Sequence, residues 1–445
     1  MLNWRKPLIL AGLTLSGSKI PKYLEEVERV SLLSKDEIVE YQQAKLERLL
    51  MHAYQNVPYY HRLLPEVGVI SDGKVNLEHF KDIPLLTKDI IRKEKENLYS
   101  QDYKDRQSYK NTSGGSTGEP VQIIQDKQYD EYNTAIKIYF NRMLGKDLGE
   151  KEIKFWGSQR DIFTGSIGLK NKIINFLYNR TFINSFMIQP SDHREIVDKW
   201  NNTKPKVVWS YVNSIYELAK YVHREKIQMY SPVAIIVTAG VLTEDIRAYI
   251  EDVLKSPVYN QYGSREVGVI ACECKWRKGL HVFQTAQYLE LLNTDLQGNG
   301  EVIITTLNNY SMPLIRYEIG DTATILEEAC LCQSSFQILK TVTGRITNHF
   351  VKRDGTIIYG GYFTQLFYFN NSIKKFQVIQ DDYDHIVCKL VLRECAIGIE
   401  DNIRDIKQKI QLVMSKDCEI EFEFVDEILP TKSGKYMYTV CEIAP

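Results

Sequence analysis

No apolar run in this chain is long enough to cross a bilayer. The nearest, residues 7–13 (Pro-Leu-Ile-Leu-Ala-Gly-Leu), falls far short of the roughly 20 residues a membrane helix needs. Charge of either sign is not in excess: 56 Lys and Arg face 57 Asp and Glu, leaving a formal net charge of -1. With no basic stripe, nucleic acid is excluded as a partner. No internal repeat and no low-complexity tract occurs. No Gly-Lys-Ser/Thr closes a glycine loop, so a Walker A site is excluded. Among the eight cysteines the close pairs are Cys-x-Cys, not the more diagnostic Cys-x-x-Cys.

The residues before the apolar run, Trp4-Arg5-Lys6, give the outline of a signal peptide, but no clean small-residue cleavage site follows. The expectation is an N-terminal segment docked on the fold or in weak contact with a membrane. The protein is expected in the cytoplasm, with the inner membrane face an allowed place of work. At 445 residues the chain exceeds what one hydrophobic core usually holds, so two or more domains are expected.

Local patterns outline an α/β chain. Ser34 and Glu37 form a capping box, and apolar residues then recur at helical spacing up to Pro58. Residues 88–96 predict a further helix. The middle alternates: strand at 207–212, helix at 214–224, buried strand at 233–238, helix from Thr243 to about Leu254, strand at 258–262. That alternation predicts a mostly parallel sheet covered by helices. Ligands bind such sheets at the carboxyl ends of strands, where Gly240 and Tyr262-Gly263 are expected. The last hundred or so residues change style. Strands at 376–380 and 386–392, joined through Asp381-Asp382-Tyr383-Asp384, precede a helix at 401–414 and a strand at 419–425, making a small α+β module.

The most informative stretch is Thr112-Ser113-Gly114-Gly115-Ser116-Thr117-Gly118-Glu119-Pro120. Its glycines let backbone N–H groups close around an anion, and its hydroxyls add donors. The plain alternative is a flexible surface loop. Further motifs follow in order: Thr238-Ala239-Gly240, then Tyr259-Asn260-Gln261-Tyr262-Gly263-Ser264-Arg265-Glu266, then Ile315-Arg316-Tyr317-Glu318-Ile319-Gly320-Asp321, then Thr343-Gly344-Arg345, then Leu429-Pro430-Thr431-Lys432-Ser433-Gly434-Lys435. Together they resemble the adenylate-forming superfamily of acyl-CoA synthetases, luciferases and peptide-synthetase adenylation domains, from about Leu46 to the end. Val57-Pro58-Tyr59-Tyr60, Asp82-Ile83-Pro84-Leu85-Leu86-Thr87-Lys88 and the cysteine-rich insert narrow the resemblance to the phenylacetate–CoA ligase-like branch, including its capsular-polysaccharide members.

The resemblance implies a large N-terminal domain, 1–345, binding ATP and a carboxylate, and a small mobile C-terminal lid, 346–445, carrying the catalytic lysine. It implies attack of a carboxylate oxygen on the α-phosphorus of ATP, release of pyrophosphate, and transfer of the acyl group to a thiol, amine or hydroxyl acceptor. Lys435 would be the mobile cation and Glu266 the Mg²⁺ ligand. Ser113, Gly114, Gly115, Ser116, Thr117 and Gly118 would cradle phosphates. Ala239, Gly240, Asn260, Gln261, Tyr262 and Gly263 would surround the adenine and acyl group, with Tyr262 stacking. Asp321 would hold the ribose hydroxyls and Arg345 the ribose or phosphate side. CoA is allowed as co-substrate and a homodimer as assembly. Two positions depart from the family: Glu119 stands where many relatives have lysine, and Thr347-Asn348 where an acidic hinge residue is common.

Cys274, His281, Cys330 and Cys332 offer three thiolates and an imidazole, a closed tetrahedral set for structural zinc within an insert at 272–332, with Cys272 as a spare ligand. The alternative is reduced, metal-free cysteine. Phe155-Trp156 and Trp209-Ser210-Tyr211 could wall the acyl pocket or belong to the core. Three functions follow: a carboxylate ligase of surface-polysaccharide synthesis, acting on a small or sugar-linked acid; an aryl- or acyl-CoA ligase; or a nucleotide-binding scaffold without turnover.

Overall fold

A computed structural model describes residues 3–112, 121–156, 169–185, 192–240, 242–343, 349–353, 357–359, 363, 366–367, 372–393, 399–428 and 439–443. The chain divides into two compact units. One comprises 1–111, 122–319 and 323–341, and the other 112–121, 320–322 and 342–445.

The first unit is built on an eleven-stranded sheet. Its parallel half runs, side by side, Arg180–Asn184, Glu152–Trp156, Val207–Tyr211, Ala234–Thr238 and Val258–Ser264. In chain order these are strands two, one, three, four and five, the doubly wound arrangement whose order reverses between the first and third. The helices His193–Thr203, Val212–Arg224 and Glu244–Leu254 make the crossovers. From Val258–Ser264 the sheet continues antiparallel through Gly268–Glu273, Leu280–Val282 and Ile338–Thr343, then reaches Tyr317–Leu326, Asn299–Thr306 and Gln287–Leu292. The helix-covered half is parallel, as the sequence predicts, and the antiparallel continuation makes the whole sheet mixed. Two apolar clusters line the parallel half, one including Ile136, Phe140, Trp209 and Ile236, the other Ile153, Phe155, Trp200 and Val208. Alternate strand residues reach opposite faces.

The capping box forms as the sequence predicts. Ser34 Oγ accepts from Glu37 N, and Glu37 Oε2 accepts from Ser34 N at 2.8 Å, starting the Lys35–Asn56 helix. That helix buries Leu46, Leu49 and Leu50, but also Lys45. Lys45 Nζ donates to Thr285 O at 2.8 Å and Asn308 Oδ1 at 3.1 Å, and pairs with Glu26 at 3.1 Å. Burial nevertheless lowers its pKa to about 8. The N-terminal segment is a helix, Arg5–Leu15, docked through Asn3 to Leu148 O at 2.7 Å, Lys6 to Asp147 at 2.6 Å, and buried Ile9. No helix among the described residues is long and apolar enough to cross a membrane.

Several expected boundaries move, and two of the shifts have a plain local cause. The helix from Lys88 stops at Glu94, because Lys95 takes a left-handed φ of 49°. The strand expected to end at Tyr262 runs on to Ser264, since residues 262–264 find antiparallel partners in Gly268–Glu273. The segment after Asp82 is joined to the sheet: Leu86 N donates to Arg316 O at 2.9 Å and Glu318 N to Leu86 O at 3.1 Å.

The second unit contains a four-stranded sheet ordered Glu419–Phe424, His385–Leu392, Ile373–Asp382 and Thr439–Cys441. The two central strands are antiparallel and close in a two-residue turn, Tyr383-Asp384, tighter than the four residues expected. The Ile399–Val413 helix buries Ile406 and Ile410 in a core with Phe350, Phe376 and Val378.

Arg316 ties the Asp82–Thr87 stretch down. Its guanidinium meets Glu290 at 3.2 Å, donates to Ile83 O at 2.6 Å and also reaches Lys81 O, with both charged side chains 7 % exposed. Replacing Arg316 with Met leaves a buried carboxylate without its partner, a change that costs roughly 3–5 kcal/mol. Urea unfolding followed by tryptophan fluorescence should show a clearly lower midpoint for this variant.

Candidate active site and candidate metal centre

The strand Val258–Ser264 carries the Asn260–Glu266 motif along the seam where the parallel half of the sheet meets the antiparallel half. Parallel pairing to its neighbour ends at Val237–Asn260, and the neighbour then leaves through Ala239 in a left-handed turn, φ 52°. Gln261 to Ser264 thus lie beyond the carboxyl end of the adjoining strand. A non-glycine residue at such a φ stores on the order of 1–3 kcal/mol. Ala239 and Gly240 form that turn, as the sequence predicts for a strand-ending site.

The other edge of the motif is locked. Gly263 pairs with Val269, and Gly268, φ 77°, begins the returning strand. A Cβ at Gly263 would lie 2.4 Å from Gly268 O, and one at Gly268 would lie 2.2 Å from Asn133 Oδ1. Asn133 in turn accepts from Val269 N at 3.0 Å. Below the motif, Glu273 accepts from Asn260 N at 2.6 Å and takes a two-pronged bond from Arg247, at 2.9 and 2.7 Å. Arg247 also donates to Val258 O at 2.6 Å.

The hydroxyl- and glycine-rich loop connects the paired strands Tyr109–Thr112 and Gln122–Gln125. Ser113 to Gly118 themselves lie outside the described residues, as do Glu119, Arg345, Thr347, Asn348 and Lys435. The base of the loop is fixed by two side chains that sequence reasoning missed. Asn111 Nδ2 donates to Gln125 Oε1 at 2.9 Å. Gln125, 1 % exposed, donates to Arg265 O at 2.8 Å and Glu266 O at 3.1 Å. The loop's strands are thereby bonded to the end of the motif that carries Glu266, itself only 4 % exposed. A buried carboxylate in this position suits a cation partner.

Asp321 is half-buried on the strand Tyr317–Leu326, directly after Gly320 with φ 85°. At the point where strand order reverses, Trp156 and Tyr211 stack, with ring centroids 5.1 Å apart and planes 29° apart. Phe155 and Trp209, their neighbours, are core residues, with Phe155 against Trp200 and Trp209 bonded to Asn141. Of the four aromatic residues that the sequence offers as walls, Trp156 and Tyr211 are the last residues of their strands.

Cys274, His281, Cys330 and Cys332 come together, with one ligand atom from each within 4.8 Å of the others. Cys274 Sγ lies 3.5 Å from Cys330 Sγ, and Cys332 Sγ 3.6 Å from His281 Nε2. Burial pushes the His281 pKa down to about 4, so the ring is neutral. Cys272 does not join them. It lies in the large apolar core with Val269 and Phe283, so it is not a spare ligand.

Comparison with known proteins agrees with this architecture. A family model described as "CapK C-terminal domain" matches residues 350–442. The protein CapK of Staphylococcus aureus is 26% identical over 434 residues, covering 95% of this chain and 92% of that protein. The phenylacetate-coenzyme A ligase of Thermus thermophilus is 24% identical over 335 residues, covering 72% and 73%. The chain is thus similar in sequence to CapK and to phenylacetate-coenzyme A ligases, the relatives that its motifs led us to expect. The fold agrees: 2-hydroxyisobutyryl-CoA ligase in its postadenylation state superimposes with a TM-score of 0.66 at 16% identity, covering 93% of this chain and 92% of that one.

Gln125 and Gly263 hold the backbone of the motif in place, through hydrogen bonds and through close packing respectively. In Gln125→Leu the carbonyls of Arg265 and Glu266 lose their partner, at about 1–3 kcal/mol for each acceptor left buried. In Gly263→Ala the new methyl strikes backbone. Both variants should bind ATP at least tenfold more weakly by calorimetry while keeping a native far-UV CD spectrum. Unchanged affinity in both would separate the hairpin from nucleotide binding.

Proposed function

We propose that this protein is an ATP-dependent carboxylate-activating ligase that forms an acyl-adenylate and passes the acyl group to an acceptor. The observation that carries the reading is the junction of loop and motif: Asn111 and Gln125 bond the strands bearing the phosphate-type loop to the backbone at Arg265-Glu266. Such a junction anchors the strands that flank the loop beside a buried carboxylate, which suits a site for a metal-bound polyphosphate. Adenylation needs charge neutralisation and in-line positioning more than covalent help. In this reading Glu266 holds Mg²⁺, which offsets phosphate charge, and Tyr262 stacks on adenine. Asp321 accepts from the ribose hydroxyls, Arg345 adds a contact on that side, and Lys435 supplies the cation for the transition state. The division of labour between 1–345 and a 346–445 lid is part of the proposal.

We assign the reaction to surface-polysaccharide synthesis, with an amide or ester as product. The match to CapK over 95% of the chain supports this. The phenylacetate ligase matches support the second reading, transfer to CoA. Pyrophosphate release from MgATP, measured across amino acids, uronic acids and aryl acids with and without CoA, separates the two. Release with one acid class but no dependence on CoA is the expected result, and turnover only with CoA favours the second reading. Lys435→Ala should abolish most pyrophosphate release while ATP binding persists. Normal release from that variant would remove Lys435 from the chemistry.

The reading also places the protein at the inner membrane face. Trp4 and Phe176 are exposed with ring centroids 6.5 Å apart, and Leu8 and Ile173 are exposed on the same two helices. Arg5 lies over both rings, at 4.5 and 5.2 Å. Aromatic and aliphatic groups mixed with a cation suit the surface of an anionic membrane. Flotation with anionic vesicles should retain the protein and lose the Trp4→Ser/Phe176→Ser variant, while no flotation of the parent protein would exclude this placement.

A further inference from the structure

We infer that Cys274, His281, Cys330 and Cys332 bind one zinc ion, and that the ion is a structural clip on the strands behind the nucleotide motif. Three observations carry this. The first is spacing. Zinc bound at about 2.3 Å to sulfur and about 2.0–2.1 Å to nitrogen, in a tetrahedron, puts two sulfurs about 3.8 Å apart and sulfur about 3.6 Å from nitrogen. The distances here are 3.5 Å for Cys274 to Cys330 and 3.6 Å for Cys332 to His281 Nε2.

The second is the environment of the sulfurs. Trp276 N donates to Cys274 Sγ at 3.4 Å, and the backbone N–H of Ser334 donates to Cys332. In both cases the donor is two residues downstream of the cysteine, in a turn containing a left-handed residue, Arg277 in one and Gln333 in the other. Backbone N–H groups aimed at sulfur are the outer contacts that orient a metal-bound thiolate. Beyond the four ligands, the small cluster includes only Ile338 and Leu326, too little apolar surface to gather three cysteines by itself. The third is completeness. Four protein ligands close the coordination sphere, which makes the ion structural rather than catalytic.

The place of the clip in the fold gives it a task. Cys274 follows the strand Gly268–Glu273 and His281 lies on the next strand, opposite Cys272. The first of these strands pairs with the motif, Ala271 to Tyr262 and Val269 to Gly263. Cys330 and Cys332 bring a loop distant in sequence onto the turn between the two strands. The ion therefore closes a long excursion of the chain where the nucleotide-binding strand is supported from behind.

Elemental analysis of protein purified without chelator or added metal tests the inference directly, independent of any assay of adenylation. About one zinc per chain is expected, retained in Cys272→Ser and lost in Cys330→Ser and in Cys332→Ala. Displacement by cobalt should give the visible spectrum of a tetrahedral thiolate site, and removal of the metal should lower Tm and speed amide exchange over 262–282. Metal-free parent protein that fails to take up zinc or cobalt when reduced would overturn the site. So would zinc retained in both Cys330→Ser and Cys332→Ala. Since every readout is metal content, spectrum or stability, failure here leaves the ligase reading untouched, and failure to adenylate leaves the clip untouched.

Discussion

One buried carboxylate decides where the nucleotide motif stands. Both oxygens of Glu273 are engaged by Arg247, and one also receives Asn260 N–H, with the two charged side chains 6 % and 9 % exposed. Arg247 also meets the exposed Glu244 at 3.3 Å, but Glu273 is buried, so loss of Arg247 leaves that carboxylate without its cation and is costly. Such a pair behaves as a latch. It joins the Glu244–Leu254 helix, the last parallel strand and the first antiparallel strand at one point. A hydrophobic triplet of the same volume could stabilise the seam equally well, but it would not specify register. The bond to Asn260 N does specify it, because only one backbone amide of the strand faces Glu273 there.

Everything nearer the proposed nucleotide depends on that register. The approach of Gly263 to Gly268 O leaves no room for a side chain, and it exists only because the two strands are held in one alignment. Gln125 then reads two carbonyls at the end of the same hairpin, and Asn111 orients Gln125. The order of strength is sensible. An ion pair fixes the seam, close packing fixes the hairpin, and neutral hydrogen bonds fix the base of the loop. The weakest links lie closest to the place where the proposed substrate would enter and leave.

Much of this was legible in the sequence wherever the determinant is local. Ser34 and Glu37 announce their helix because both halves of the capping box lie within one turn. The strands at 207–211, 234–238 and 258–264 announce themselves through apolar content and intervening caps such as Thr243. The pairing of Cys274 with Cys330 and of His281 with Cys332 was reachable because cysteine and histidine have few competing reasons to cluster. Long-range determinants were not legible. Gln125 meets Arg265 across 140 residues, and nothing near either one marks the contact. Glu273 sits between two cysteines and reads as spacer. Lys45 occupies a core-facing helical position, and nothing near it in sequence marks Glu26 and Thr285 as the partners that make it a buried cation. Cys272 drops out of the group because it lies within the strand and packs into the apolar core, whereas Cys274 lies just beyond the strand's end.

The relatives differ less in how similar they are than in how far the similarity reaches. CapK and the Thermus phenylacetate-coenzyme A ligase are nearly equal in identity, 26% and 24%, yet the first alignment runs 434 residues and the second 335. Sequence this divergent retains what the fold requires, so identity alone does not separate two acceptors. Extent is more informative. In the proposed reading the loop base, the hairpin and the Glu273 latch hold a nucleotide and an acid, a task that both candidate reactions share. The C-terminal residues 350–442 match a domain described by CapK. Activation and transfer are therefore separable questions in this chain: the constraints described for the first unit bear on the former, and the reach of the CapK resemblance bears on the latter.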